Sequence, residues 1–292
     1  MKPAAFIIPW LTCLCVQLHA ATTIDNTNRS AWAANLGWVN CQGNITQGAV
    51  VGEYILSGYI WAANAGWINF GDGTPMDGIA YSGATTADYG VNVLPGQGSK
   101  AELRGFAYGA NIGWINFEAT GNPQLDRTTG AFSGYAWSAN CGWLNLGELG
   151  LVLETDSIQP GTDSDLDGIA DAFELVHFQN LTTGNQTSDS DGDGESDSSE
   201  YAADTDPRDP DSGLKITAFS TAPDLTHSTL TWTSRFTRSY RIFTAETLPG
   251  PWQLMLDSIV PTTALTTRSV PNVPPTDRRF FRVQAFSPLL PP

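Results

Sequence analysis

The chain has 292 residues, 41% of them apolar and 15% charged, which is long and apolar enough for more than one folded domain. It holds 30 acidic and 14 basic residues, a formal net charge of −16. Most of this excess is local, because residues 156–211 contain 16 acidic residues and a single basic one. The balance argues against nucleic-acid binding, which needs a basic face.

The first twenty residues have the pattern of a secretory signal peptide. A basic residue, Lys2, precedes an apolar stretch at 4–18, and small residues follow at Ala20 and Ala21. A stretch of about fifteen residues is too short for a comfortable membrane span. We therefore expect a signal peptide at residues 1–20, no transmembrane span, and export to the cell surface or the medium.

The four cysteines divide between the signal peptide and the mature chain. Cys13 and Cys15 lie in the apolar stretch, and the residues before them are poor neighbours for a lipidated cysteine, which disfavours a lipoprotein. Cys41 and Cys141 remain, so we expect a disulfide between them in an oxidising compartment. Two buried free thiols are the alternative. The bond would bring the two Cα atoms within about 7 Å and so favour a closed domain.

A fourfold repeat organises residues 21–155. Each unit reads aromatic-x-x-Asn-x-Gly-Trp-x-Asn, and the second aromatics are spaced 29, 47 and 29 residues apart. The first aromatics are Trp32, Trp61, Tyr108 and Trp137, and the second are Trp38, Trp67, Trp114 and Trp143.

Each unit also has the features of a β-hairpin. Apolar and polar residues alternate on both sides of the Asn-x-Gly turn, and the two aromatics can pair across the strands. One hairpin cannot bury its own apolar face, so the four must pack into a compact or closed β domain. We also expect a hydrogen-bonded ladder between repeats from the asparagines that follow the second Trp, which are Asn40, Asn69, Asn116 and Asn145.

The tryptophans of the repeats allow two interpretations. Their regular spacing and glycine neighbours favour a hydrophobic core, so we expect the second Trp of each repeat to be buried. The alternative is an exposed platform that stacks on sugars while Asn amides bond to hydroxyl groups, which would make the protein a glycan-binding one. In that case the insertion around residues 94–100 is a place for variable recognition.

Two twelve-residue segments then match the pattern D-x-D-x-D-G-x-x-D-x-x-E at every position. The pattern supplies the oxygen ligands that Ca²⁺ prefers: carboxylates at positions 1, 3 and 5, a backbone carbonyl at 7, a carboxylate or water at 9 and a bidentate Glu at 12, with a turn-forming Gly at 6. An acidic disordered linker is the alternative. We assign residues 156–212 to a calcium-binding connector with a short helix. Its predicted ligands are Asp163, Asp165, Asp167, Ile169, Asp171 and Glu174 in the first loop, and Asp189, Asp191, Asp193, Glu195, Asp197 and Glu200 in the second.

Residues 213–292 have the pattern of a β-sandwich. Short apolar and β-branched runs are separated by Pro, Gly, Asp and Ser turns, which predicts six or seven strands. Trp232 and Phe281 are the predicted core residues.

Three resemblances support this division. The segments DSDLDGIADAFE and DSDGDGESDSSEYAADTDPRDP resemble the thrombospondin type 3 repeats of bacterial secreted proteins, whose Asp-rich loops wrap calcium. The Trp units look like the G-Y-A-W-x-x-N-x-G-W-I-N repeats of exported bacterial proteins. The last region is similar to fibronectin type III modules through LTWTS and RFFRVQAF. Together the resemblances imply a mainly β, three-part protein that binds Ca²⁺ outside the cell.

An enzyme is the competing class of protein. The mature chain has two histidines, His177 and His227, in separate segments, and it lacks G-x-S-x-G, H-E-x-x-H and a Walker-type loop. Hydrolysis by a carboxylate pair stays open, because a pair needs only the right separation. The acidic candidates in the repeat domain are Glu53, Asp72, Asp77, Asp88, Glu102, Glu118, Asp126 and Glu148.

The leading hypothesis is an exported calcium-binding adhesion or structural module without catalysis. Glycan binding comes second and a carboxylate-based hydrolase third. The partner would be an extracellular glycan or a surface protein, and the sequence does not determine an oligomeric state.

Overall fold

The computed structural model describes residues 22–43, 46–272 and 279–289. The chain is mainly β, as predicted, and contains a closed eight-stranded barrel, two acidic loops with a short helix each, and two further sheets. The predicted signal peptide, with Cys13 and Cys15, lies outside the described residues.

The elements follow one another in three groups. The first group is β1 (Ile24–Ala33), β2 (Gly37–Asn40), β3 (Val50–Val51), β4 (Ile55–Ser57), β5 (Tyr59–Ala62), β6 (Gly66–Asn69), β7 (Val91–Leu94), β8 (Lys100–Gly109), β9 (Gly113–Phe117), a 3-10 turn (Ala119–Gly121), β10 (Gln124–Asp126), β11 (Phe132–Ser133), β12 (Tyr135–Ser138), β13 (Gly142–Asn145) and β14 (Leu153–Thr155). The second group is α1 (Asp171–His177) and α2 (Asp197–Ala203). The third is β15 (Ile216–Thr221), β16 (His227–Thr233), β17 (Ser239–Ala245), β18 (Gln253–Ile259), β19 (Leu265–Pro271) and β20 (Phe280–Phe286).

The barrel takes two strands from each repeat. The hairpins are β1–β2, β5–β6, β8–β9 and β12–β13. Neighbouring hairpins join through antiparallel β2–β5, β6–β8 and β9–β12 pairs, and β13 pairs with β1 to close the ring. The predicted closed β domain is confirmed.

Each hairpin turns through its Asn-x-Gly sequence. In the first, Leu36 donates its N–H to the carbonyl oxygen of Ala33, and Gly37 follows at a φ of 78°. The other three turns have Gly66, Gly113 and Gly142 at φ of 80°, 71° and 74°. Glycine is favoured there because a Cβ is strained at positive φ.

The asparagine ladder exists, but it uses other asparagines than predicted. The turn asparagines donate from Nδ2 to carbonyl oxygens of the preceding hairpin, in the pairs Asn64–Leu36 (3.1 Å), Asn111–Ala65 (3.0 Å) and Asn140–Ile112 (2.9 Å). Those that follow the second Trp instead bond to groups two or three residues further on, as Asn145 does with the N–H groups of Gly147 and Glu148. They stand at strand ends, where an Asn side chain caps a turn.

The predicted burial of the tryptophans is wrong. All eight repeat aromatics lie on the outside of the barrel, at least 38% exposed, while the residues beside them point inward and are buried. The inward residues are small or branched: Ala31, Ala33, Val39, Ile60, Ala62, Ile68, Ala107, Ile115, Ala136, Ser138 and Leu144.

The register of the barrel explains this arrangement. Within hairpins aromatic pairs with aromatic, as Trp61 does with Trp67, but between hairpins the Asn two residues further along faces the next aromatic. The register is thus offset by two residues at each of the four junctions between hairpins, which gives a shear of about eight for eight strands. The interior of a barrel of that size is just wide enough for side chains to fill. Two inward Trp rings per repeat would overfill it, so the small alternate residues point inward.

The predicted disulfide is also wrong: Cys41 and Cys141 are free and buried. Cys141 occupies the turn position that Leu36 holds in the first repeat, whereas Cys41 follows the second strand, five residues beyond Leu36. At about 3.3 Å per residue this places the two thiols at opposite ends of the barrel, roughly 16 Å apart along the strands. Ring closure therefore comes from β13–β1 pairing and needs no covalent bond.

The C-terminal domain packs two antiparallel three-stranded sheets, β15–β16–β19 and β18–β17–β20. Trp232 is fully buried between them and Phe281 is partly buried against the same core, as predicted for both. The chain then returns to the barrel: the Leu289 carbonyl accepts from the N–H of Ile158 at 2.7 Å, and the Leu289 side chain packs on the barrel core.

Candidate metal centres

The first acidic loop gathers three carboxylates. One oxygen each from Asp163, Asp165 and Asp167 lies within 4.8 Å of the others. The backbone holds the first of them, because Asp163 accepts from the N–H of Leu166 at 2.8 Å and of Gly168 at 2.9 Å. Gly168 itself has a φ of 94°, which fits the turn that position 6 requires. The arrangement could hold a metal ion.

The second loop repeats this geometry. Oxygens of Asp189, Asp191 and Asp193 lie within 4.8 Å of one another. Asp189 accepts from the N–H groups of Gly192 at 2.8 Å and Gly194 at 3.0 Å, and Gly194 has a φ of 96°. The pattern match thus corresponds to two loops of the same shape, both able to hold a metal ion.

The glutamates at position 12 are buried outside the three-carboxylate clusters, and most of their oxygens lack partners. Glu174 and Glu200 stand in the first turns of α1 and α2 and are at most 1% exposed. Both carboxylate oxygens of Glu174 and Oε2 of Glu200 lack a hydrogen bond, as do one oxygen each of Asp167 and Asp191. A buried charge without a partner is strongly unfavourable. A bound cation would satisfy these oxygens.

The electrostatics of the loops point the same way. Burial, with added repulsion from Asp167, raises the pKa of Glu174 to about 7. Burial likewise raises the pKa of Glu200 to about 7, although a hydrogen bond from Thr205 opposes the shift. These carboxyl groups are therefore costly to ionise until a positive charge is placed beside them.

The aspartates at position 9 do not join the clusters. Asp171 accepts from the N–H of Ser164 at 2.7 Å and from its hydroxyl at 2.6 Å. Asp197 is fully buried and accepts from both groups of Ser190, at 3.0 and 2.8 Å, and from the Ser188 hydroxyl. Both therefore brace the loop from outside the carboxylate cluster.

The residues at position 7 contribute only their backbone to the loop. Ile169 is fully buried, and its N–H donates to Asp167 at 2.9 Å. Glu195 donates its N–H to Asp193 in the same way at 2.8 Å. The backbone carbonyl groups at these positions are the predicted metal ligands, so the side chain at position 7 is free to differ between the loops.

One cation of the chain already approaches the second loop. The Nζ atom of Lys215 lies 3.2 Å from Oδ2 of Asp193 and 2.7 Å from the carbonyl oxygen of Pro210. A backbone hydrogen bond from Glu195, with help from Lys215, lowers the pKa of Asp193. The second loop is thus partly neutralised by the C-terminal domain.

The two helices connect the loops to both β domains. Phe173 of α1 packs edge-on against Tyr201 of α2, with ring centroids 5.0 Å apart. At the C-terminal end of α2, the carbonyl oxygens of Tyr201 and Ala202 accept from the guanidinium of Arg238 at 3.1 and 3.0 Å. Arg238 belongs to the loop before β17 in the C-terminal domain.

Arg238 also reaches the barrel domain. Its Nη1 lies 3.2 Å from Oε1 of Glu53, and Ser287 donates to the same oxygen at 3.1 Å. Arg238 is 5% exposed, so this is a buried ion pair at the meeting point of all three parts. The sequence singled out Glu53 only as one acid among many, and no local motif marks Arg238.

The carboxylates that the hydrolase alternative requires all have structural partners. Besides Glu53, Glu102 pairs with Arg104 at 2.7 Å and Glu148 accepts from the N–H of Gly134 at 2.9 Å. The others accept from groups close in sequence, and they are Asp72, Asp77, Asp88, Glu118 and Asp126.

Both described helices have seven residues, and within the described ranges no helix is long and apolar enough to cross a membrane. The chain matches no protein-family model, no curated protein and no solved structure.

The buried glutamate of the first loop predicts a pH dependence in the metal-free protein. Its folded-state pKa of about 7 exceeds the ordinary 4.5, so protonation favours the folded connector. The contribution of Glu174 to stability in EDTA should be fully present below about pH 4.5 and be lost as the pH rises through 7. Glu174→Gln should therefore raise the thermal midpoint at pH 8 in EDTA and change it little at pH 5.

The exposed Glu246, in the C-terminal domain, provides the control. Glu246→Gln should leave the midpoint unchanged at both pH values. A Glu174→Gln protein that is less stable than wild type at pH 8 in EDTA would contradict the assignment of an unpartnered buried charge.

Proposed function

We propose that this chain is an exported calcium-binding adhesion or structural module, in which two calcium loops fix the orientation of two β domains. The observation that carries the proposal is the burial of unpartnered glutamate oxygens, in Glu174 and Glu200, beside clusters of three aspartates. A domain that buries such groups twice, at the same loop position, is built around cations.

Ca²⁺ is the cation that the donor set favours. Every metal ligand that the pattern supplies in the two loops is an oxygen atom, whereas zinc sites use His and Cys. Mg²⁺ demands a tight octahedron and keeps several waters, so it suits sites with one or two carboxylates better. Twelve-residue loops with Gly at 6 and Glu at 12 suit Ca²⁺, and the resemblance to thrombospondin type 3 repeats supports the same ion.

The contacts of α2 suggest how calcium would act on the whole molecule. Glu200 would bind the ion from the first turn of α2, and the last turn of this helix holds Arg238. Arg238 in turn pairs with Glu53 of the barrel domain. Calcium bound at the second loop would thus fix one helix that contacts the C-terminal domain directly and the barrel through a single arginine.

An extracellular protein of this kind holds its two β domains at a fixed angle to each other and presents them to a partner. Export rests on the N-terminal signal pattern, and extracellular fluids supply calcium at the concentrations that weak loops of this type need. We place the partner among extracellular glycans or surface proteins, and the described carboxylates give no support to the hydrolase alternative.

The first test is calcium binding by the full mature chain. Calorimetry should find two ions per chain and weaker binding of Mg²⁺ at equal concentration. At one hundred times the dissociation constant, each ion should add about 2.7 kcal/mol to the free energy of unfolding. Asp163→Asn and Asp189→Asn should each remove one ion and leave the other.

Asp224→Asn serves as the control, because this exposed aspartate caps a turn in the C-terminal domain. It should retain both ions. No heat and no change in stability at millimolar calcium would refute the proposal.

The second test concerns the buried pair Arg238–Glu53. Removing one partner of a buried ion pair costs roughly 3–5 kcal/mol, so Arg238→Ala should lower the free energy of unfolding by about that amount. Arg241→Ala is the matched control, because its 2.8 Å pair with Asp257 is exposed and should cost under about 1 kcal/mol. Equal effects of the two variants would show that Arg238 does not join the domains.

A further inference from the structure

Three of the four hairpins support their second Trp with a third aromatic ring. Tyr59, Phe106 and Tyr135 stand two residues before the first aromatic of their repeats. Their ring centroids lie 6.3, 6.0 and 6.2 Å from those of Trp67, Trp114 and Trp143, respectively. The three supported tryptophans are 40–43% exposed.

The first hairpin lacks this support. The corresponding position holds Ser30, which is too small to reach the neighbouring ring. Trp38 is 63% exposed, and no aromatic ring of a described residue packs against it, not even that of Trp32, which faces it across the hairpin. The first repeat also has Arg29 where the other three have a glycine before the third aromatic.

The strand register shows which residues surround the space that Ser30 leaves unfilled. Tyr59, for example, faces Asn69 across its hairpin, and at the same register Ser30 faces Asn40. One row further along, Trp32 faces Trp38. Ser30 and Asn40 therefore form the floor of an open notch on the outer barrel surface, and Trp38 forms its wall.

The surroundings of the notch are polar and nearly neutral. Arg29 donates to the side-chain oxygen of Gln42 at 2.8 Å, and Gln42 donates to Asn26 at 2.6 Å. The charge of Arg29 is thus already paired with an amide, and Glu154 of the neighbouring strand accepts from Asn28. Hydroxyl and amide groups line the approach to an exposed indole face.

We propose that this notch binds a pyranose ring of a neutral glycan. A sugar has an apolar C–H face that fits the open face of Trp38, and hydroxyl groups that fit Ser30 and Asn40. A nucleic acid needs a basic face, whereas residues 22–155 hold ten acidic and only four basic residues.

The inference names the ligand class for the adhesion role and rests on that part of the proposed function. It does not rest on calcium, because the notch lies on the barrel wall and shares no residue with the acidic loops. Sugar binding and calcium binding can therefore fail separately.

The test uses the full mature chain in calcium with four probes: cello-, chito-, xylo- and malto-oligosaccharides of six units. The NMR resonance of the Trp38 indole N–H, assigned with Trp38→Phe, should shift with at least one probe. Trp38→Ala should weaken binding of that probe by about tenfold or more. Trp67→Ala, which removes a supported ring, should bind as wild type does.

Ser30→Tyr is the decisive variant, since Tyr occupies this position in the second and fourth repeats. It should fill the notch, abolish sugar binding, raise the thermal midpoint and leave both calcium ions bound. The proposal is overturned if no probe moves the Trp38 resonance, or if binding survives Ser30→Tyr in a folded protein.

Discussion

The whole molecule depends on how two buried glutamates are neutralised. Glu174 and Glu200 stand in the first turns of the two helices between the barrel and the C-terminal sheets, and three of their four oxygens have no hydrogen-bond partner. Without a cation each must either take up a proton or move into water. In the proposed function each becomes a ligand of a divalent cation, which would fix the helix that carries it. Since α2 holds Arg238, the same ion would order the contact between the domains.

The barrel depends on a different constraint, the width of its interior. Eight strands with a shear of about eight leave room for alanine, valine, isoleucine and leucine, so the tryptophans are placed outside, where they pair across each hairpin. Asparagine amides then tie each turn to the next, as Asn64 does with Leu36. Neighbouring rings support the second Trp in three of the hairpins, whereas Trp38 of the first hairpin, where Ser30 replaces the third aromatic, has no ring contact with a described residue.

Local patterns in the sequence predicted much of this architecture. The Asn-x-Gly turns, the cross-strand aromatic pairs, the packing of the hairpins into one β domain and the acidic loops all follow from residue types at fixed spacing. The sequence does not show on which face of the barrel Trp38 lies, because the alternation of residues along the strand fits either face. Only the shear of the barrel decides between them. Closure itself was expected for a wrong reason, the Cys41–Cys141 bond. The Arg238–Glu53 pair joins residues 185 positions apart, so no local pattern could reveal it.

Small-angle X-ray scattering of the mature chain with calcium and with EDTA tests the central claim most directly. With calcium, the account predicts a single compact particle in which the barrel and the C-terminal domain keep a fixed distance. At pH 8 in EDTA, it predicts a larger maximum dimension and a scattering profile of two folded bodies on a mobile linker. Identical profiles in the two conditions, from a protein that binds two calcium ions, would contradict a calcium-set junction.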